Sequence, residues 1–155
     1  MSHTIDGVLC HTQSSLTWDN YWINGRLAGE TEQSAIILGA CDVPVVMVTG
    51  DDKTVREARN VLGDDIVTVQ VKQGLSREAA LMVAPKKARA MLRAGAAEAL
   101  QRAPRIAPYK PEFPLTIRWQ FKDSGIVDRY TGDARRIDAT TLEKVVYAPQ
   151  DIITP

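Results

Sequence analysis

Few residues in this chain have the type and spacing for chemistry. There are two histidines, His3 and His11, and a few carboxylates set at element boundaries, namely Glu30, Glu32, Asp51 and Asp52. A catalytic zinc needs about three protein ligands from His, Asp or Glu and an open position for water, and a two-metal site needs more, with bridging carboxylates. No His-x-x-x-His and no Asp-x-Glu pair occurs, so spacing alone proposes no metal site. A Gly-x-Ser-x-Gly elbow and a phosphate loop are also absent. Taken singly, each residue has an ordinary structural account. His3 and His11 lie near a terminus. Glu30 and Glu32 open a helical segment, where a negative charge interacts favourably with the helix dipole. Thr49-Gly50-Asp51-Asp52 follows a buried strand, where α/β proteins place ligands, yet an Asp-Asp helix start also serves as a cap. Lys72, followed by Gln73-Gly74, could contact an anion or sit in a solvated loop.

The elements that must position these residues are legible from periodicity. Trp18-Asp19-Asn20-Tyr21-Trp22-Ile23, then Asn24-Gly25, then Arg26-Leu27-Ala28 reads as an antiparallel hairpin, because Asn-Gly suits a type I′ turn with both positions at positive φ. Glu30 to Ala40 is a short, mostly buried helix. Pro44 to Val48 is a continuous apolar run, expected as a strand covered on both faces. Asp51 or Asp52 caps the next helix, Val55, Ala58 and Leu62 share a face of it, and Gly63 stands where a C-cap glycine belongs. Ile66 to Val71 is the following strand, which completes a βαβ unit. Pro85 opens the longest helix, running to about Arg102, with Ala88, Met91, Leu92 and Ala99 on one face. Gly95 falls on that face; a mid-helix glycine either weakens the helix by about 1 kcal/mol relative to alanine or marks a close helix contact. After a Pro-rich connector, Leu115 to Lys122 alternates strictly, as a strand with one buried face does, and Val145-Val146-Tyr147 suggests another short strand.

The expected fold class is α/β, a three-layer-like parallel or mixed sheet with flanking helices, preceded by a β-hairpin. The chain reads as a single domain over residues 1–155, with a loop and hairpin at 1–29, a βαβ-type core at 30–102 and further strands at 115–148. With 19 basic and 19 acidic residues the net charge is +0, so nothing points to nucleic acid or to an anionic membrane. No apolar run approaches the roughly 20 residues of a membrane-spanning helix, and Met1 to Asp6 lacks the charged and apolar regions of a secretory signal. Cys10 and Cys41 are too few for a disulfide framework. A cytoplasmic location is the expectation.

The motifs in their order add a further reading. Met1-Ser2-His3-Thr4, Trp22-Ile23-Asn24-Gly25-Arg26-Leu27-Ala28-Gly29-Glu30, Asp42-Val43-Pro44 through Thr49-Gly50-Asp51-Asp52, Val67 through Lys72-Gln73-Gly74-Leu75-Ser76-Arg77, and Pro108-Tyr109-Lys110-Pro111-Glu112 together resemble the DppA-type D-aminopeptidase family of zinc metallopeptidases. The resemblance covers nearly the whole chain. It implies that His3, in the Met-Ser-His motif, has a direct catalytic role and that Glu30, in the Gly-Glu motif, is a zinc ligand. It further implies two zinc ions in the intact site, a short peptide substrate cleaved at its N-terminal residue, D-amino acids among them, and a homo-oligomer. The family's Asp-x-Glu pair and two further histidine ligands have no counterpart here. The chain is therefore expected to be the C-terminal part of the family fold, cut at both ends, and to hold zinc weakly alone. A non-catalytic assembly subunit and a split enzyme completed by another chain are the alternatives. An exposed strand edge and apolar surface are expected, favouring self-association.

Overall fold

A computed structural model describes all 155 residues, Met1–Pro155. They divide into two compact units, one of Met1–Ser2, His11–Gln33 and Pro111–Pro155, the other of His3–Cys10 and Ser34–Lys110.

The first unit is built on an antiparallel sheet of five strands. The hairpin of β1 (Trp18–Ile23) and β2 (Arg26–Leu27) forms as expected, with Trp22 opposite Leu27, Ile23 opposite Arg26, and positive φ at both Asn24 and Gly25. Asn24 adds a second function: its Oδ1 accepts the Thr116 N–H at 2.8 Å, tying the turn to the neighbouring strand β6 (Leu115–Phe121). Together with β7 (Arg135–Arg136) and β8 (Thr141–Val146), the order is β2-β1-β6-β8-β7. The alternation in β6 is realised residue by residue. Leu115, Ile117, Trp119 and Phe121 are buried, while Thr116, Arg118 and Gln120 between them are half-buried. Trp119 and Tyr21 are fully buried, with ring centroids 6.3 Å apart. Their polar ends are satisfied: Tyr21 OH donates to the Ile152 carbonyl at 2.7 Å and Trp119 Nε1 to the Ile153 carbonyl at 3.2 Å. A buried aromatic with a hydrogen-bonding tip keeps its apolar gain only when that tip has a partner, and the last residues of the chain supply both acceptors.

The second unit carries the βαβ element. β3 (Met47–Asp51) runs parallel to β4 (Val67–Ser76), with α2 (Asp52–Leu62) between them in sequence. β5 (Ala79–Met82) returns antiparallel to β4, so the order is β3-β4-β5. Two expectations shift. The first of these strands starts at Met47 rather than at Pro44, which has no N–H to offer a ladder. It is also half-buried rather than covered on both faces, since it lies at a sheet edge. β4 runs on to Ser76, which places Lys72 inside a strand opposite Met82 instead of in a loop.

α3 (Pro85–Arg102) packs on this sheet. Val67, Val69 and Ala99 form the buried centre, with Val46, Met47, Val71, Met91 and Leu92 packed around it. Gly95 is the point of closest approach: a Cβ there would overlap Val69 Cγ2 and come within 3.2 Å of Met47 Cε. α1 (Glu30–Ala40) begins in the first unit and ends in the second. The short helix α4 (Ser124–Asp128) is capped by Asp123, which accepts the Gly125 N–H at 2.7 Å. No helix is long and apolar enough to cross a membrane, and Cys10 and Cys41 are free thiols.

Candidate active site

Glu30 is the first residue of α1. Four backbone N–H groups of any helix start lack an intrahelical acceptor, so an acidic residue is favoured there on local grounds alone. Its carboxylate is also held from outside the helix. Glu30 Oε1 accepts the Gln13 backbone N–H at 2.9 Å, and the Gln13 side chain donates through Nε2 to Gln33 Oε1 at 2.7 Å, one turn further along. Gln13 has φ of 60°, an uncommon conformation for a residue of its type, and it grips α1 at two points. Gln33 is buried beside Tyr21. Burial pushes the Tyr21 hydroxyl well above its ordinary value, against the effect of the Gln33 amide, so Tyr21 stays a neutral donor. Glu32, also buried, is paired with Arg26 from β2. Next to Gln13 in sequence, Thr12 accepts the Ser2 N–H at 3.1 Å through Oγ1, and both residues are buried. A polar cluster thus surrounds the start of α1 within the first unit. Sequence reasoning identified Glu30 but missed Gln13 and Gln33, for which no local signal exists.

His3 is exposed and belongs to the second unit, while Glu30 and His11 belong to the first. His3 lies in a run of tight turns, and its own φ is 55°. Asp51 and Asp52 divide two tasks. Asp51 is the N-cap of α2, with Oδ1 accepting the Thr54 N–H at 2.7 Å, and its Oδ2 accepts the Val8 N–H at 2.8 Å. Burial would raise the Asp51 pKa, but the Thr54 and Val8 N–H donors and the Thr54 hydroxyl together outweigh it and hold the carboxyl below the usual range. Asp52 accepts the Gly74 N–H at 3.0 Å and pairs with Lys53 at 2.7 Å. These two carboxylates are therefore occupied with backbone and lysine donors.

Zinc chemistry can be tested against the donors themselves. No group of three or more His, Cys, Asp or Glu side chains is arranged to hold a metal ion. Glu30 is at most one donor where about three are needed, so the residues of this chain alone do not fit a zinc centre.

The structure defines a mixed α/β protein with its Ser-His motif in a turn and its Gly-Glu motif at the start of α1. The chain belongs to the D-aminopeptidase family of peptidases, whose family model matches residues 1–154. It is 35% identical over 106 residues to a D-aminopeptidase of Bacillus subtilis (strain 168), an alignment covering 68% of this chain and 38% of that protein. Among solved structures, it matches the Zn-dependent D-aminopeptidase DppA from Bacillus subtilis, described as a self-compartmentalizing protease. That match has a TM-score of 0.88 and 28% identity over 98% of this chain and 56% of the other. The chain thus spans between 38% and 56% of the relatives' lengths.

Proposed function

We propose that this chain forms part of a zinc-dependent aminopeptidase that removes N-terminal residues, D-amino acids among them, from short peptides. The match of one family model to residues 1–154, a span that includes Ser2-His3 and Gly29-Glu30, carries this reading. Glu30 is proposed as a zinc ligand, its carboxylate oriented by the Gln13 N–H. His3 is proposed as the catalytic residue that handles a proton or attacks at the reacting carbon; its exposure leaves it open to a substrate. The remaining ligands of a two-zinc site would come from residues outside these 155, on a longer chain or on another subunit. That no three His, Cys, Asp or Glu side chains of this chain come together for a metal ion supports this two-part site. A cytoplasmic homo-oligomer is part of the same proposal. The exposed apolar side chains on β5, Leu81 and Met82, support association.

The test joins this chain to a segment carrying an Asp-x-Glu pair and two histidines, and follows release of free amino acid from a dipeptide with an N-terminal D-residue. Zinc-dependent release is expected, with His3→Ala and Glu30→Ala each lowering it by about 100-fold or more. Full activity in His3→Ala would overturn the catalytic assignment. Stoichiometric, tightly held zinc in the 155 residues alone would overturn the two-part site.

A further inference from the structure

The segment His3–Cys10 forms neither helix nor strand. Its turns close on themselves, with the Gly7 N–H donating to the Thr4 carbonyl at 3.0 Å and the Cys10 N–H to the Gly7 carbonyl at 3.3 Å. Three of its residues lie in the left-handed region: His3, Asp6 and Leu9, with φ of 55°, 56° and 51°. Residues with a Cβ avoid that region, and a segment holding three of them keeps its shape only where its surroundings over-determine it.

Three contacts within the second unit do so. The Leu9 N–H donates to the Arg77 carbonyl at 2.6 Å. The Asp6 carbonyl oxygen occupies the place a Cβ of Gly74 would take, so only glycine at that point of β4 admits the turn. The Val8 N–H donates to Asp51 Oδ2 at 2.8 Å. Of these, the third alone uses a charged side chain, and a hydrogen bond to a carboxylate is stronger than one between neutral groups. Asp51 is only 3% exposed, so its carboxylate has little water to accept from in place of Val8.

A helix cap explains one oxygen of Asp51 and no more. Serine, threonine or asparagine would cap α2 equally well. A side chain that caps α2 and also accepts from Val8 needs two acceptor oxygens at that reach, which is what aspartate has. We infer that Asp51 is a positioning residue for His3: its second oxygen fixes Val8, and the Gly7–Thr4 and Cys10–Gly7 bonds pass that restraint along the segment that His3 begins. This role rests on the reading of His3 as catalytic. The clamp itself is a property of the chain that can be measured without any substrate.

The test uses the full chain and two variants. In D51N one oxygen remains, and an NH2 group replaces the other acceptor. In D51S the hydroxyl still caps α2 but is too short to reach Val8. Amide hydrogen exchange is read at Val8 and through α2, and the His3 ring signals are followed by 1H–13C NMR. Exchange at Val8 is expected to rise by about tenfold or more, in line with loss of a charge-assisted hydrogen bond. The His3 ring signals move toward those of an unstructured peptide, while D51S keeps α2 exchange within about twofold of the parent. Unchanged Val8 exchange, or unchanged His3 signals, in D51S would overturn the inference. Loss of protection along α2 in step with Val8 would also do so, since Asp51 would then be a cap only. Should both variants fail to fold, the parent chain still decides, because a Val8 amide exchanging at the unprotected rate overturns the clamp. The catalytic reading fails separately: activity retained in His3→Ala removes it while leaving the exchange result standing.

Discussion

The two sheets solve the burial problem differently. In the five-stranded sheet, β6 lies between two partners and buries every second side chain, and the rings of Phe121, Trp18, Tyr21 and Trp119 follow one another with centroids 6.1, 5.9 and 6.3 Å apart. In the three-stranded sheet, both outer strands are edges. β3 buries only Asp51, β5 buries nothing, and Leu81 and Met82 stand 59% and 69% exposed. The first sheet completes its core with residues of its own unit. The second has α2 against β3 and β4 and α3 against β4, with Gly95 at the closest approach, and leaves the apolar side chains of β5 exposed.

Truncating the first core should have the largest effect. Trp119→Ala removes a fully buried indole and the donor to Ile153, and about 3–5 kcal/mol of stability is expected to go with it. Urea unfolding measures this, and a loss below about 2 kcal/mol would break the contrast. The second core is sensitive to filling rather than to emptying. Gly95→Val pushes methyl groups into Val69 and Met47 and is expected to cost about 2 kcal/mol, read as a lower unfolding midpoint. A neutral result would mean that α3 slides freely on β4.

The smallest effect concerns charge. Arg118 holds the Glu143 carboxyl below its ordinary range, with Arg135 adding to it, through bonds of 2.6 and 2.7 Å across the first sheet. A depressed folded pKa contributes stability above the unfolded value, and that stability is lost as pH falls through the folded one. The loss therefore begins below the ordinary glutamate value of 4.5. Glu143→Gln should lower stability at pH 7 by about 1 kcal/mol, since both arginines are well exposed and screened. The variant should also flatten the acid limb of a stability–pH curve. An unchanged acid limb would assign that limb to other carboxylates, such as Asp51 in the second unit.

Local rules carried much of this protein. Asn24-Gly25 determined a hairpin because few turns accept two residues at positive φ, and the structure has it. The strict alternation of Leu115 to Phe121 determined which face is buried. Gly63 and Pro85 bounded their helices, and Gly95 marked the close contact. The order of the motifs determined the family. Tertiary structure decided the rest. Pro44 to Val46 looked like strand but precedes it, and β5 was not anticipated, because pairing depends on partners distant in sequence. The same holds for the anchors of the candidate site. Nothing near Gln13 says that its N–H meets a glutamate 17 residues away, and nothing near Asp51 says that its second oxygen meets Val8, 43 residues earlier. Hydrogen bonds of that span follow no sequence period. They exist only once folding has brought turns at positive φ and the carboxylates of Glu30 and Asp51 together.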